Sequence, residues 1–112
     1  MSTEVGTEPW LAERSATARP YDGVDPFTID VVVGKDRTGD GVTYHVVLEP
    51  GQRPQHRPGA APGGASATLE LSRTDAEAEA RGDRPAVVGY MRGTTKTKGA
   101  TRPLYEYFRL LD

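Results

Sequence analysis

Three side chains suited to proton transfer stand at alternating positions of predicted strands. Asp30, His45 and Glu70 each occupy, within their own strand, the phase opposite to the apolar residues. Two carboxylates and an imidazole on one sheet face could shift one another's pKa values and act as general acid and base. The same pattern is typical of a solvated polar sheet face. These three residues are therefore the candidate catalytic set if the protein is an enzyme.

Other motifs for catalysis or metal binding are missing from the sequence. There is no cysteine among the 112 residues, which excludes disulfides, thiolate metal sites and cysteine nucleophiles. The only histidines, His45 and His56, are distant in sequence and no carboxylate stands at ligand spacing from them. Gly93 and Gly99 are not followed by Lys-Ser or Lys-Thr, as a P-loop requires. We predict no cofactor and no metal.

The bulk properties narrow the function further. A net charge of -2 argues against a dedicated nucleic-acid binder. The first residues include acids and no apolar run, unlike a secretory signal, and no segment is long and apolar enough for stable membrane insertion. We expect a cytoplasmic protein. Lys96, Lys98 and Arg102 form a small basic patch that could attract an anionic head group, although such clusters are usually solvated.

The first half of the chain predicts a short helix followed by a hairpin. In residues 27–33 and 42–48 every second side chain is apolar, which gives each segment one apolar face, and the turn residues between them indicate two antiparallel strands. The preceding helix, about residues 9–18, has few apolar residues, so Trp10 must supply most of its attachment. Residues 50–66 contain four prolines and four glycines and are predicted as a long loop with an edge strand near 53–57, either a surface insertion or a lid.

The second half packs many elements into few residues. It predicts a third strand, an alanine-rich helix capped by Ser72 or Thr74 and ended by Gly82, and an apolar helix capped by Asp83. We expect that apolar helix, up to Gly93, to be the most buried in the protein. The remaining elements are a strand over residues 94–98 and a terminal helix that begins at Thr101.

This succession resembles the C-terminal half of a sterol carrier protein type-two-like domain. The resemblance covers roughly residues 24 to 111 and is strongest from 67 to 99. The matching features are an alternating strand ending in Ser72, a helix ending in Gly82, the helix end Gly89-Tyr-Met-Arg-Gly93 and the strand Thr94-Thr-Lys-Thr-Lys-Gly99.

The resemblance, together with the element order, implies an α+β fold. We expect a mostly antiparallel sheet of about four to five strands with helices on one face and room for an internal apolar cavity. Residues 1–23 would be a polar N-terminal segment with a short helix, and residues 24–112 the sterol-carrier-like domain. The residues that would wall the cavity are Val87, Tyr90, Met91, Leu104, Tyr105 and Phe108, although each of them could equally fill a solid core.

Two features depart from the family pattern. Thr95 and Thr97 stand where the strand usually carries inward Leu and Ile, and a buried unpaired hydroxyl costs roughly 1 to 3 kcal/mol. Either the two threonine hydroxyls bind a polar ligand group or water, or this strand lies at a solvent-exposed edge of the sheet. The N-terminal helix is shorter than the family's opening helix, which argues against a large closed tunnel. Trp10 would then be either a lid residue or an ordinary anchor.

Three functions remain open from the sequence. The first is a carrier for a hydrophobic or amphipathic small molecule, such as a lipid, a sterol-like compound or a polyketide-like metabolite. The second is a small cofactor-free cyclase, dehydratase or hydrolase of specialised metabolism that uses the same cavity. The third is a protein-interaction module with Tyr105, Phe108 and Leu111 as its exposed stripe, although core packing explains that stripe equally well.

Overall fold

Two strands with alternating apolar residues form the centre of the sheet. In the computed structural model, which describes residues 5–34, 41–83, 85–93 and 95–111, β1 is Phe27–Val33 and β2 is Val42–Leu48. They pair antiparallel, with Val31 opposite Tyr44. The predicted hairpin is confirmed, while most of its predicted turn, residues 35–40, lies outside the described residues.

Three shorter strands complete the sheet. They are β3 (Gln55–Pro58), β4 (Ala67–Leu71) and β5 (Lys96–Gly99), and the strand order is β3-β2-β1-β4-β5. Of the four neighbouring strand pairs among the described residues, β1–β4 is parallel and the other three are antiparallel. The predicted α+β fold with a mostly antiparallel sheet is therefore confirmed, and the edge strand predicted near residues 53–57 is β3.

The helices form a layer on one face of the sheet. They are α1 (Glu8–Thr17), α2 (Arg73–Ala80), α3 (Ala86–Arg92) and α4 (Thr101–Leu111). Helix α1 packs on β3, α4 packs on β1 and β4, and α3 packs on α4. The sheet residues beneath this layer are Ile29, Val31, Val33, Tyr44, Val46, Leu48 and Leu69, all buried in one core that also includes Val5, Trp10, Leu11 and Tyr21.

Two of the predicted helix boundaries are confirmed and one is wrong. The Ser72 hydroxyl caps α2 by accepting the Asp75 N–H at 3.0 Å, and Gly82 follows α2 with a φ of 79°. Asp83, however, does not cap α3. Because Pro85 is still extended, α3 begins only at Ala86, and the Asp83 carboxylate instead accepts from the Arg81 guanidinium at 2.9 Å.

The prediction that α3 is the most buried helix is also wrong, since α4 holds that place. In α3 only Ala86 and Gly89 are buried, and Met91 is 77% exposed. The apolar residues of α3 are consecutive in the sequence, so their side chains project from different faces of the helix. Those of α4 recur at helical spacing and share one face; the buried ones are Pro103, Leu104, Tyr107, Phe108 and Leu110.

Residues 59–66, here called the strap, connect β3 at one edge to β4 beyond β1. The strap crosses the sheet face opposite the helices. The Gly59 N–H donates to the Thr43 carbonyl at 3.0 Å, and the Ser66 N–H donates to the Thr28 carbonyl at 2.8 Å. The loop predicted over residues 50–66 is thus partly an edge strand and partly a crossover that covers the outer sheet face.

Candidate functional site

An apolar surface lies where α3 meets α4. We define the α3–α4 surface as Val87, Tyr90, Met91 and Tyr105. Met91 and Tyr105 are 77% and 51% exposed, whereas Val87 and Tyr90 are half-buried and pack against the core. The structure thereby brings together four of the predicted ligand-binding residues at one place.

The aromatic rings of this surface are stacked from the outside inwards. Tyr90 meets Tyr105 edge-on, with ring centroids 5.5 Å apart, and its ring centroid lies 5.8 Å from that of Phe108. Phe108 and Leu104, also predicted as ligand-binding residues, are buried. These two residues therefore form the core beneath the α3–α4 surface and are not part of its exposed area.

The two tyrosine hydroxyls of this surface face each other. The Tyr105 hydroxyl donates to the Tyr90 hydroxyl over 3.5 Å. This hydrogen bond, together with the nearby Tyr90 group, raises the pKa of Tyr105 above its ordinary value. Tyr105 therefore presents an uncharged hydroxyl at physiological pH, as a tyrosine of ordinary pKa also does.

Thr95 stands next to this surface, between the end of α3 and the start of β5. Its N–H donates to the Gly89 carbonyl at 3.0 Å, and the residue is only 5% exposed. Its Oγ1 is buried without a hydrogen-bond partner among the described residues. Thr97 is half-buried and lies opposite Leu69 of β4, on the helix-facing side of the sheet.

Trp10 is placed elsewhere. It lies on the buried side of α1, the helix that covers the β3 edge of the sheet, and it meets Tyr44 edge-on with ring centroids 5.4 Å apart. The Arg14 guanidinium lies 5.9 Å from the centre of its ring. Since α3 and β5 belong to the opposite edge of the fold, Trp10 does not join the α3–α4 surface and anchors α1 instead.

A second polar cluster, which the sequence analysis missed, lies beneath α1. His56 of β3 is joined to the Ser15 hydroxyl through Nδ1 at 2.9 Å and to the Tyr107 hydroxyl through Nε2 at 2.7 Å. Its backbone N–H also donates to the Ser15 hydroxyl at 2.9 Å. Two signals could have indicated this cluster: the inward phase of His56 in an edge strand, and the spacing of Tyr107 from Leu104 on α4.

The electrostatics of this cluster favour neutral groups. Burial, reinforced by the Arg14 charge, lowers the pKa of His56 to about 3. Burial likewise raises the pKa of Tyr107 well above its ordinary value and the pKa of Tyr44 to about 12. A neutral imidazole offers one donor and one acceptor, so either tautomer satisfies both ring contacts.

Ser15, His56 and Tyr107 have the residue types of a nucleophile, a base and an orienting group, but the arrangement does not suit catalysis. An imidazole whose conjugate acid has a pKa near 3 is a weak base at neutral pH. The Ser15 oxygen also already accepts a backbone N–H. The cluster links α1, β3 and α4, and we assign it a structural role.

The candidate acid–base residues lie together on the outer face of the sheet. Asp30 of β1 is directly opposite His45 of β2. On the other side of β1, Glu70 of β4 is opposite Val32. The His45 Nδ1–H donates to the Gly59 carbonyl at 2.8 Å, and the Asp30 carboxylate accepts the Ala61 N–H at 2.8 Å. Asp30 and His45 thus hold the strap against the sheet.

Glu70 has different surroundings from the other two. Its carboxylate lies 3.9 Å from the Lys98 ammonium. It also borders a shallow depression of about 300 Å³ that is open to solvent; the other lining residues are Val32, Gly34, Leu71, Ser72 and Lys96. Within the described residues no group of three or more histidine and acidic side chains is placed to hold a metal ion.

Comparison with known proteins defines the class of fold. No family model and no curated protein matches the chain. Solved structures do match, and their likeness shows a sterol carrier protein 2-like fold over nearly the whole chain. Palmitated sterol carrier protein 2-like 2 from Aedes aegypti matches with a TM-score of 0.72 at 14% identity, covering 99% of this chain and 95% of that one.

Two further structures show the same likeness. A crystal structure of sterol carrier protein 2 matches with a TM-score of 0.68 at 18% identity, covering 96% of this chain and 91% of its own. The apo form of sterol carrier protein 2 from Yarrowia lipolytica matches with a TM-score of 0.57 at 17% identity, covering 93% and 74% respectively. In the part of the chain that the structure describes, no helix is long and apolar enough to span a membrane.

Proposed function

We propose that the protein binds and carries a hydrophobic or amphipathic small molecule at the α3–α4 surface. The observation that carries this proposal is the exposure of Met91 and Tyr105 beside the half-buried Val87 and Tyr90. Large apolar side chains grouped on the surface of a small domain are typical of a binding site. Burial of this apolar area would drive association, and the tyrosine hydroxyls would orient the polar end of the ligand.

The fold supports the same function. The Aedes aegypti protein of this fold is described as palmitated, which makes a lipid one reasonable class of ligand. Sterol-like compounds and polyketide-like metabolites share its apolar character. Met91 suits any of them, because its flexible and polarizable side chain adapts to irregular surfaces.

The weak attachment of α3 provides a route for entry. Its buried residues, Ala86 and Gly89, are small, and its larger side chains Val87 and Tyr90 are only half-buried, so α3 has less buried apolar area to lose on moving than α4. Helix α4 is fixed by five buried residues, two of them aromatic. We expect α3 to swing away from α4, which would open a space bordered by Val87, Tyr90 and Thr95.

Native mass spectrometry of the purified protein, followed by denaturing extraction, is the direct test. A co-purifying apolar compound supports the proposal. Binding of palmitate and cholesterol, delivered from cyclodextrin, is then compared in Met91→Glu and in Ala12→Glu, a matched control on the exposed side of α1. We expect Met91→Glu to weaken binding by roughly 10-fold or more, because it places a charge against the apolar ligand. Equal binding in both variants would contradict this location.

A further inference from the structure

We infer that the ligand carries a neutral oxygen group, a hydroxyl or a carbonyl, that hydrogen-bonds to Thr95 Oγ1. This inference rests on the proposed function and specifies its ligand class. Thr95 is 5% exposed, and its hydroxyl is buried without a partner among the described residues. Since buried polar atoms in folded proteins are nearly always paired, an unpaired one beside a binding surface indicates a partner that arrives with the ligand.

The place of Thr95 follows from its own contacts. It precedes β5, which begins at Lys96, and its N–H donates to the carbonyl of Gly89, a buried residue of α3. Since the residue is 5% exposed and its Oγ1 is buried, the hydroxyl lies inside the protein beside α3, where movement of that helix would open the space for the ligand.

The nearby polar groups, unlike Thr95 Oγ1, each have at least one partner, although the two tyrosine hydroxyls can form further hydrogen bonds. The Gly89 carbonyl accepts the Thr95 N–H, and the hydroxyls of Tyr90 and Tyr105 face each other. A residue with the same shape and no hydroxyl, such as valine, would pack here without an unpaired oxygen. The hydroxyl therefore costs stability and adds no described contact, as expected of a group that serves binding.

The lysines of β5 favour a neutral ligand group over a carboxylate at Thr95. Lys96 and Lys98 alternate with Thr97 in β5, and Lys98 lies 3.9 Å from the Glu70 carboxylate on the outer side of the sheet. Neither lysine is therefore placed to pair with a carboxylate buried beside Thr95, and an unpaired buried carboxylate is costly. A threonine hydroxyl can donate to a ketone, an ester or an alcohol, and can accept from an alcohol.

The test uses two pairs of probes that differ only in one oxygen group, 1-hexadecanol with hexadecane and cholesterol with cholestane. Each is delivered from cyclodextrin to the full chain, and binding is measured by native mass spectrometry. In the wild type we expect the oxygenated member of at least one pair to bind roughly 3- to 10-fold more tightly, as one hydrogen bond predicts. Palmitate is expected to bind no better than 1-hexadecanol.

Thr95→Val should abolish this preference, and Thr95→Ser, which keeps the hydroxyl, should retain it. A preference that survives in Thr95→Val overturns the inference, as does a variant that weakens both members of a pair equally. In either case the proposed binding function stands. If none of the probes binds the wild type, the proposed function fails and the inference fails with it.

Discussion

The two ends of the helix layer differ in whether their buried polar groups have hydrogen-bond partners. At the end that covers β3, His56 is paired through both ring nitrogens, to Ser15 and to Tyr107. At the end next to β5, the equally buried Thr95 hydroxyl has no partner among the described residues. We call the first the closed end and the second the open end.

The apolar packing differs in the same way. Trp10 at the closed end is buried against Tyr44. At the open end, Met91 and Tyr105 are exposed, and the buried residues of α3, Ala86 and Gly89, are small. This contrast supports the proposal that α3 can move away while α1 and α4 stay fixed to the sheet.

The largest contrast between the ends should appear when apolar side chains are removed. Trp10→Ala leaves a large cavity at the closed end, so we expect a loss of about 3 to 5 kcal/mol in the free energy of unfolding. Met91→Ala removes an exposed side chain and should change that free energy by less than about 0.5 kcal/mol. Urea unfolding followed by circular dichroism measures both. Similar losses in the two variants would remove the distinction between the ends.

Removing one hydroxyl sharpens the comparison within α4. Tyr107→Phe takes away the partner of His56 Nε2 and leaves a buried imidazole nitrogen unpaired, so we expect a loss of roughly 1 to 3 kcal/mol in stability. Tyr105→Phe is the matched control, since Tyr105 is half exposed and its bond to Tyr90 is long at 3.5 Å. It should cost less than about 0.5 kcal/mol. If Tyr105→Phe proved the more costly variant, the assignment of closed and open ends would be reversed.

Acid should weaken the closed end. The folded-state pKa of His56 is about 3 against an ordinary 6.5, so on acidification the unfolded chain binds its proton first. The contribution of buried, neutral His56 to the free energy of unfolding is complete above about pH 6.5 and is lost as the pH falls towards 3. Between pH 7 and pH 5.5 this amounts to about 1 kcal/mol.

The control for this pH dependence is His56→Gln, which removes the titrating group. Unfolding free energies of the two proteins are measured across the same pH range, and the difference between them isolates the His56 contribution. The variant should lack the part of the decline that sets in below pH 6.5. Parallel pH profiles would show that His56 titrates normally and is not held neutral by burial.

The sequence predicted the sheet well because its signal is local. In β1 and β2 every second residue is apolar, and the residues between them are polar except Val32 and Val47, which predicts two strands that each have one apolar face. The same pattern also placed Asp30, His45 and Glu70 on one outer face. The hydrogen bonds from the strap to Asp30 and His45 were not predictable, because they depend on where a Pro- and Gly-rich crossover runs.

The candidate site was predicted less completely. Which side chains of a helix are buried depends on the rotation of the helix and on contacts with residues that are distant in the chain. The sequence pattern grouped Tyr105 with Leu104 and Phe108, yet Tyr107 is the buried tyrosine. Both tyrosines fit the helical period, and the partner that favours burial of Tyr107 is His56, 51 residues away in the chain. The local pattern could indicate that His56 and Tyr107 each point inwards, but it could not show that they pair with each other, because they are distant in the chain.

The smallest expected effect is also the most diagnostic one for the open end. Thr95→Val deletes a buried hydroxyl with no described partner, so the protein should be unchanged or more stable by up to about 1 kcal/mol. Ser15→Ala deletes the matched hydroxyl at the closed end, where it serves both the backbone and the ring of His56, and should cost about 1 kcal/mol. Thermal and urea unfolding of both variants without ligand measure this pair. A clear loss of stability in Thr95→Val would mean that its hydroxyl is already satisfied in the free protein, and the open end would then no longer differ from the closed one in its polar groups.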